Sequence, residues 1–224
     1  MSGKNGEAKH PFQFMACWEL REMLGRRAYD ERELLEQLEE VPLDSIYFHT
    51  HSCFLHEPSF PGGYPNDFAT WAAIQVRDRV LGEKLGIVDP QDFSDLESLR
   101  AEVVSLIDDH LAETRSVPRV MFGQPFYFMQ SRVLEIPTGV KVRTLAEFRD
   151  ALARVDTAVV YLHVVEARGR KGRRRNDFAA WIDEQLGLSE LAAAVARTNP
   201  FPFGLEEVRR RLLRLCDGAI GQNG

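Results

Sequence analysis

The chain has 224 residues, 44% apolar and 28% charged, which is enough apolar material for a sizeable core and excludes a disordered chain. No run approaches the ~20 apolar residues of a membrane helix, Met1 to Phe12 lacks the apolar stretch of a signal peptide, and three cysteines are too few for a disulfide framework. The net charge of −6 divides unevenly: residues 1–114 hold 10 Lys+Arg against 22 Asp+Glu, and residues 115–224 hold 18 against 12.

These features predict a cytoplasmic protein with no membrane partner and reduced thiols, Cys17 and Cys216 being buried as small apolar side chains. The oppositely charged halves suit a homo-oligomer held head to tail, or attraction within one chain.

Residues 1–10 read as a disordered polar tail. A unit then opens at Pro11-Phe-Gln-Phe-Met15, and the same opening returns as Pro125-Phe-Tyr-Phe-Met129, an offset of 114 that persists through Tyr47/Tyr161 and His49/His163. From Asn66/Asn176 the offset is 110, and over the last helix, Leu96/Leu205 onward, it is 109. The chain therefore reads as a first repeat unit at 11–114, a linker at 115–119, a second unit at 120–217 and a tail at 218–224.

Within each copy the opening reads as a β-hairpin turning near Gly25 or Gly139, the latter after Pro137-Thr138. Asp30-x-x-Glu33 and Thr144-x-x-Glu147 read as capping boxes that start a helix with an apolar face, Leu34, Leu35 and Leu38 in one copy and Leu145, Phe148 and Leu152 in the other. The apolar runs around His49 and His163 read as an interior strand. Asn66-Asp67 and Asn176-Asp177 then begin a helix, Asn as N-cap and Asp against the helix dipole, with Phe68 and Trp71, or Phe178 and Trp181, on one side. Gly187 breaks the second copy into two helices, with Ser189 capping the later one. The fold class expected is α/β or α+β, two tandem homologous β-β-α-β-α-α units forming an internal pseudo-dimer.

The pieces Phe12-Gln-Phe14, Leu34-Leu35, Tyr47-Phe-His49 and Asn66-Asp-Phe-Ala-Thr-Trp71, repeated as Phe126-Tyr-Phe128, Tyr161-Leu-His163, Asn176-Asp-Phe-Ala-Ala-Trp181 and Leu191-Ala192, carry a resemblance. The chain resembles an uncharacterised family of bacterial and archaeal proteins known only as a domain of unknown function. The resemblance covers nearly the whole chain and implies no activity, cofactor or catalytic residue.

Residues kept by both copies, His49, Asn66, Asp67 and Trp71 with His163, Asn176, Asp177 and Trp181, fit a shared structural motif. His49 with Asp67, and His163 with Asp177, form the His–carboxylate pair that can orient a general base, but a buried His bonded to a helix N-terminus is the plainer account of a duplicated pair. In the first copy alone, His49, His51 and Cys53 would project together from a strand, and with Asp67 would supply zinc or iron ligands. The second copy alone carries Arg168, Arg170, Lys171, Arg173, Arg174 and Arg175 beside a helix N-terminus, a candidate anion site.

The leading functional expectation is a non-catalytic binding or regulatory protein with a protein partner and no cofactor, using the loops 56–65 and 168–175. The alternative is a metal-dependent hydrolase built on the first-copy His cluster. A third reading, a phosphate or nucleic-acid binder working through the basic loop, is weakened by the overall acidity and the lack of interleaved aromatic residues.

Overall fold

The computed structural model describes residues 7–56, 63–114, 120, 123–169, 175–201 and 203–222. Two long strands, β1 (Glu7–Ala28) and β2 (Phe126–Thr144), pair with each other in a two-stranded sheet. After β1 come α1 (Glu31–Glu40), α2 (Leu43–Tyr47), which runs on through Phe48–Ser52 and Cys53–His56, α3 (Asp67–Trp71), which runs on through Ala72–Val76, α4 (Arg79–Gly86) and α5 (Leu96–Glu113). After β2 come α6 (Leu145–Leu152), α7 (Thr157–Val160), which runs on through Tyr161–Glu166 and Ala167–Gly169, α8 (Asp177–Leu186), α9 (Ser189–Ala196) and α10 (Leu205–Gln222). The protein is thus mixed α+β, and among the described residues no helix is long and apolar enough to cross a membrane.

Two expected elements take a different form. Neither opening is a hairpin: β1 and β2 run unbroken through Gly25 and Gly139, whose φ angles of 70° and 80° lie in the left-handed region. Such a glycine suits a local distortion of a strand as well as a reversal, so the Pro-Thr-Gly signal did not decide between them. The segments holding His49 and His163 are helical, not strands, and each contains a π-helical stretch, Phe48–Ser52 and Tyr161–Glu166. A short apolar run buried on every side has no period that separates strand from helix.

The helix starts follow their sequence signals closely. Thr144 and Glu147 complete a capping box at α6. At α1 the Asp30 side chain accepts from Glu33 N–H at 2.9 Å, while Glu33 reaches the Tyr29 N–H at 2.8 Å, one residue further back than expected. Gly187 ends α8 with φ 67°, as Arg77 does after Ala72–Val76. Ser189 does not cap α9; its hydroxyl donates to Asp183 Oδ1 at 2.6 Å, and Leu188 occupies the cap position.

The chain forms two compact units, and their boundaries do not coincide with the sequence copies. One is Met1–Trp18 with Val133–Gly224, the other Glu19–Arg132. Each long strand therefore passes from one unit to the other near its middle. In the unit Glu19–Arg132, Phe126 and Phe128 of β2 join Leu34, Leu38, Phe68, Trp71, Leu81, Leu99 and Ile107 in the core. In the other, Phe12 packs edge-on to Phe14 at 5.0 Å and to Phe148 at 5.8 Å, and reaches Trp181 at 5.6 Å. A two-stranded ribbon is marginal by itself. Burial of these phenylalanines, worth roughly 2–3 kcal/mol each, fixes each half-strand against its helices.

This exchange predicts which fragment folds. Residues 19–132 expressed alone should show a cooperative far-UV circular dichroism melt. Residues 11–114 hold the same helices without Phe126 and Phe128, and should not. Equal cooperativity in the two fragments would remove the half-strand from the account.

Candidate functional site

The shared histidines sit where strand, helix and helix meet. His49 Nδ1 lies 2.8 Å from Asp67 Oδ2, and its Nε2 accepts from the Met129 backbone N–H at 3.0 Å. His163 Nδ1 lies 2.9 Å from Asp177 Oδ2, and its Nε2 accepts from Met15 N–H at 3.0 Å. Because Nε2 is an acceptor in both, the proton belongs on Nδ1 and is donated to the carboxylate. No ring nitrogen remains to take a proton from a substrate.

The neighbouring motif residues complete the same joint. Asn66 Oδ1 accepts from Ala69 N–H at 2.8 Å while its amide donates to Leu85 O at 2.9 Å; Asn176 does so with Ala179 at 2.8 Å and Val195 at 3.1 Å. Each Asn therefore caps one helix and ties it to the end of the next. Trp71 Nε1–H donates to Gln124 O, and Trp181 Nε1–H to His10 O, each at 2.9 Å. The eight motif residues act as a strand-to-helix pin, once in each unit.

The first-copy cluster is not brought together as a ligand set. On a strand His49, His51 and Cys53 would share a face, but on a helix residues two apart point to different sides. His51 bonds Thr50 Oγ1 at 2.8 Å and stacks on Tyr47 at 4.3 Å, while the Cys53 thiol approaches Pro65 O at 3.3 Å. All three cysteines are free thiols and buried, as Cys17 and Cys216 were expected to be. Burial pushes the Cys216 thiol up to about 12.

Of the basic loop, Arg170, Lys171, Arg173 and Arg174 lie outside the described residues, as do 57–62 of the first-copy loop. Arg168 is bonded to Ala196 O, and burial lowers its pKa. Arg175 pairs with Asp183 at 2.6 Å. The two ends of the basic run are thus engaged with their own unit.

Two further polar groups in the unit Glu19–Arg132 had no signal in local sequence. Glu19, on β1, accepts from His56 Nε2 at 2.6 Å and from Arg21 at 2.9 Å. Burial raises the Glu19 pKa, but hydrogen bonds from His56, Ser131 and Ser52 outweigh it and hold the group at about 2. The carboxylate sits between the imidazole and the two serines, so the imidazole does not bridge acid and hydroxyl as a nucleophile-activating triad requires.

The second group is Glu31 of α1, Asp78 at the start of α4 and His110 of α5, whose ligand-type atoms all lie within 4.8 Å of one another. His110 Nε2 is 2.8 Å from Asp78 Oδ2 and 3.9 Å from Glu31 Oε2. Burial first, then the Asp78 charge, pushes Glu31 up to about 7 against the opposing pull of His110. Burial also raises Asp78, yet the Leu81 N–H and His110 bonds hold it below the ordinary carboxylate range. Among the described residues this is the group that could hold a metal ion.

Removing either pin leaves a strand N–H without its acceptor beside a cavity, so His49→Ala and His163→Ala should each lower unfolding free energy by about 2–4 kcal/mol in urea titrations; an unchanged midpoint would show the ring is not the joint. For Glu19 the folded pKa of about 2 lies below the ordinary glutamate value of 4.5, so its stabilisation is present above 4.5 and lost as pH falls towards 2. Over that window wild type should lose more stability than Glu19→Gln, and parallel pH profiles would contradict the assignment.

The chain is similar over nearly its whole length to a solved protein, OrfY from Thermoproteus tenax, with TM-score 0.78 and 28% identity, covering 95% of this chain and 97% of that one. No curated protein matches. The pattern of the family of unknown function DUF5752 matches residues 9–217, a span that takes in both pins, both long strands and the Glu31 cluster, and the chain belongs to that family.

Proposed function

We propose that the protein is a non-catalytic binding protein, built from two homologous units as an internal pseudo-dimer, that holds a short apolar segment of a protein partner. The duplication is supported by the agreement, bond for bond, between His49, Asp67, Asn66 and Trp71 and their counterparts His163, Asp177, Asn176 and Trp181. The non-catalytic reading is supported by the same bonds, which use both nitrogens of each recurring histidine.

The observation that carries the binding reading is a groove of about 530 Å³ in the unit Met1–Trp18 with Val133–Gly224. It is lined by the apolar Ala16, Val140, Val142, Val155 and Val159 together with Glu147, Asp150, Asp156 and Arg154. An apolar groove whose charged lining is net acidic suits a segment of two or three aliphatic side chains flanked by Lys or Arg. Val140 is 37% exposed, and Trp18 and Leu134 of the same unit are 71% and 48% exposed, so apolar surface continues along the strands. The third reading gains no support from Arg168 and Arg175, both of which are engaged internally.

The experiment is selection of a displayed peptide library on the immobilised protein, with Val140→Arg as the comparison. Aliphatic peptides flanked by basic residues should be enriched and should bind the variant at least tenfold more weakly. No enrichment, or enrichment indifferent to Val140→Arg, would exclude the groove.

A further inference from the structure

The group formed by Glu31, Asp78 and His110 has no counterpart in the second copy. In the sequence register, with offsets of 114, 110 and 109, those positions are Leu145, Leu188 and Ala219. Three side chains distant in sequence are polar together in one copy and apolar together in the other. If each served only its own helix there would be no reason for the three to change as a set.

The geometry also shows something missing from the polar network. Glu31 is 0% exposed, and among the described residues neither of its carboxylate oxygens accepts a hydrogen bond. A buried carboxylate without a partner is costly, and it is directed towards His110 Nε2, 3.9 Å away, which is already bonded to Asp78. A neutral replacement was available to this fold, as the Leu145 register shows. What the position retains is a carboxyl group whose oxygens can serve as ligand atoms.

We propose that Glu31, Asp78 and His110 bind one first-row divalent cation, zinc being the ion best matched to two carboxylate oxygens and an imidazole nitrogen. Ligand bonds of about 2.0–2.1 Å in a tetrahedral site set donor atoms about 3.4 Å apart. The separations of 2.8 and 3.9 Å from His110 lie on either side of that value and the two carboxylates lie within 4.8 Å of each other, so closing on an ion requires shifts of about half an ångström at His110 and at most about 1.4 Å between the carboxylates. Two carboxylates and a neutral imidazole balance a divalent charge, which suits a buried site. Asp78 is already oriented for the role: Oδ1 accepts from Leu81 N–H at 2.9 Å while Oδ2 faces His110. Its side chain is 15% exposed, which leaves a path for a water as fourth ligand. Helices α1, α4 and α5 supply one ligand each, so the ion would clasp three elements of one unit.

The test is zinc binding by the full chain after chelator treatment and dialysis, read as bound metal per chain and as the shift in melting temperature on adding zinc. Two variants accompany wild type: Glu31→Gln, which keeps the shape, and the triple Glu31→Leu, Asp78→Leu, His110→Ala, which installs the residues of the other copy. Wild type should bind about one zinc per chain and melt several degrees higher with it, and Glu31→Gln should weaken binding at least tenfold. The triple variant should bind none at this site and show no shift, with its fold checked by circular dichroism. Should the triple variant misfold, Glu31→Gln alone decides. Zinc uptake equal in wild type and Glu31→Gln, or no uptake by wild type, would overturn the site.

Discussion

The constraint on which the architecture depends is the imidazole held between a strand N–H and a helix-start aspartate. A strand in a two-stranded sheet has backbone groups that no third strand can satisfy, and here one of them, Met129 N–H or Met15 N–H, is taken by a histidine side chain from a buried helix. The other nitrogen then fixes where Asp67 or Asp177 must stand, and so where α3 or α8 begins. The aromatic ring is also a packing surface: His49 lies 4.6 Å from Phe126, and His163 lies 4.9 Å from Phe12. One side chain therefore joins hydrogen bonding, helix position and core packing. A lysine or glutamine has no comparable rigid pair of opposed nitrogens.

Strand exchange between the sequence copies follows from the same joint. Met15 belongs to the first sequence copy, yet it bonds His163 of the second, and Met129 of the second copy bonds His49 of the first. A sequence copy cut out by itself would keep its histidine and lose the backbone donor that satisfies it. The covalent chain thus supplies each unit with a half-strand it could not provide locally. This makes the repeat boundary a poor guide to the folding boundary.

Local chemistry was legible where a single residue acts on its nearest backbone. Asn66, Asn176, Thr144 and Gly187 each cap the helix end that their type and position indicated. The His–Asp pairs were legible for a different reason: two copies retaining the same pair implies a shared joint. The segments 45–54 and 158–165 were misread as strands because burial on every side erases periodicity, and the hairpins because a left-handed glycine has more than one use. Glu31, Asp78 and His110 were invisible to any local pattern. Three helices bring them together, and only their joint replacement by Leu145, Leu188 and Ala219 leaves a trace in the sequence.

That trace bears on where function resides. Features present in both units answer a need of the fold, since each unit must start its helices and satisfy its strand. Features confined to one unit answer no such need, because the other unit folds without them. The buried carboxylate of Glu31 lies in one unit and the apolar groove lined by Val140 and Val159 in the other. A cation clasping α1, α4 and α5 would act within the unit Glu19–Arg132, whereas the groove belongs to the unit Met1–Trp18 with Val133–Gly224, so each unit carries a feature of its own on a shared joint.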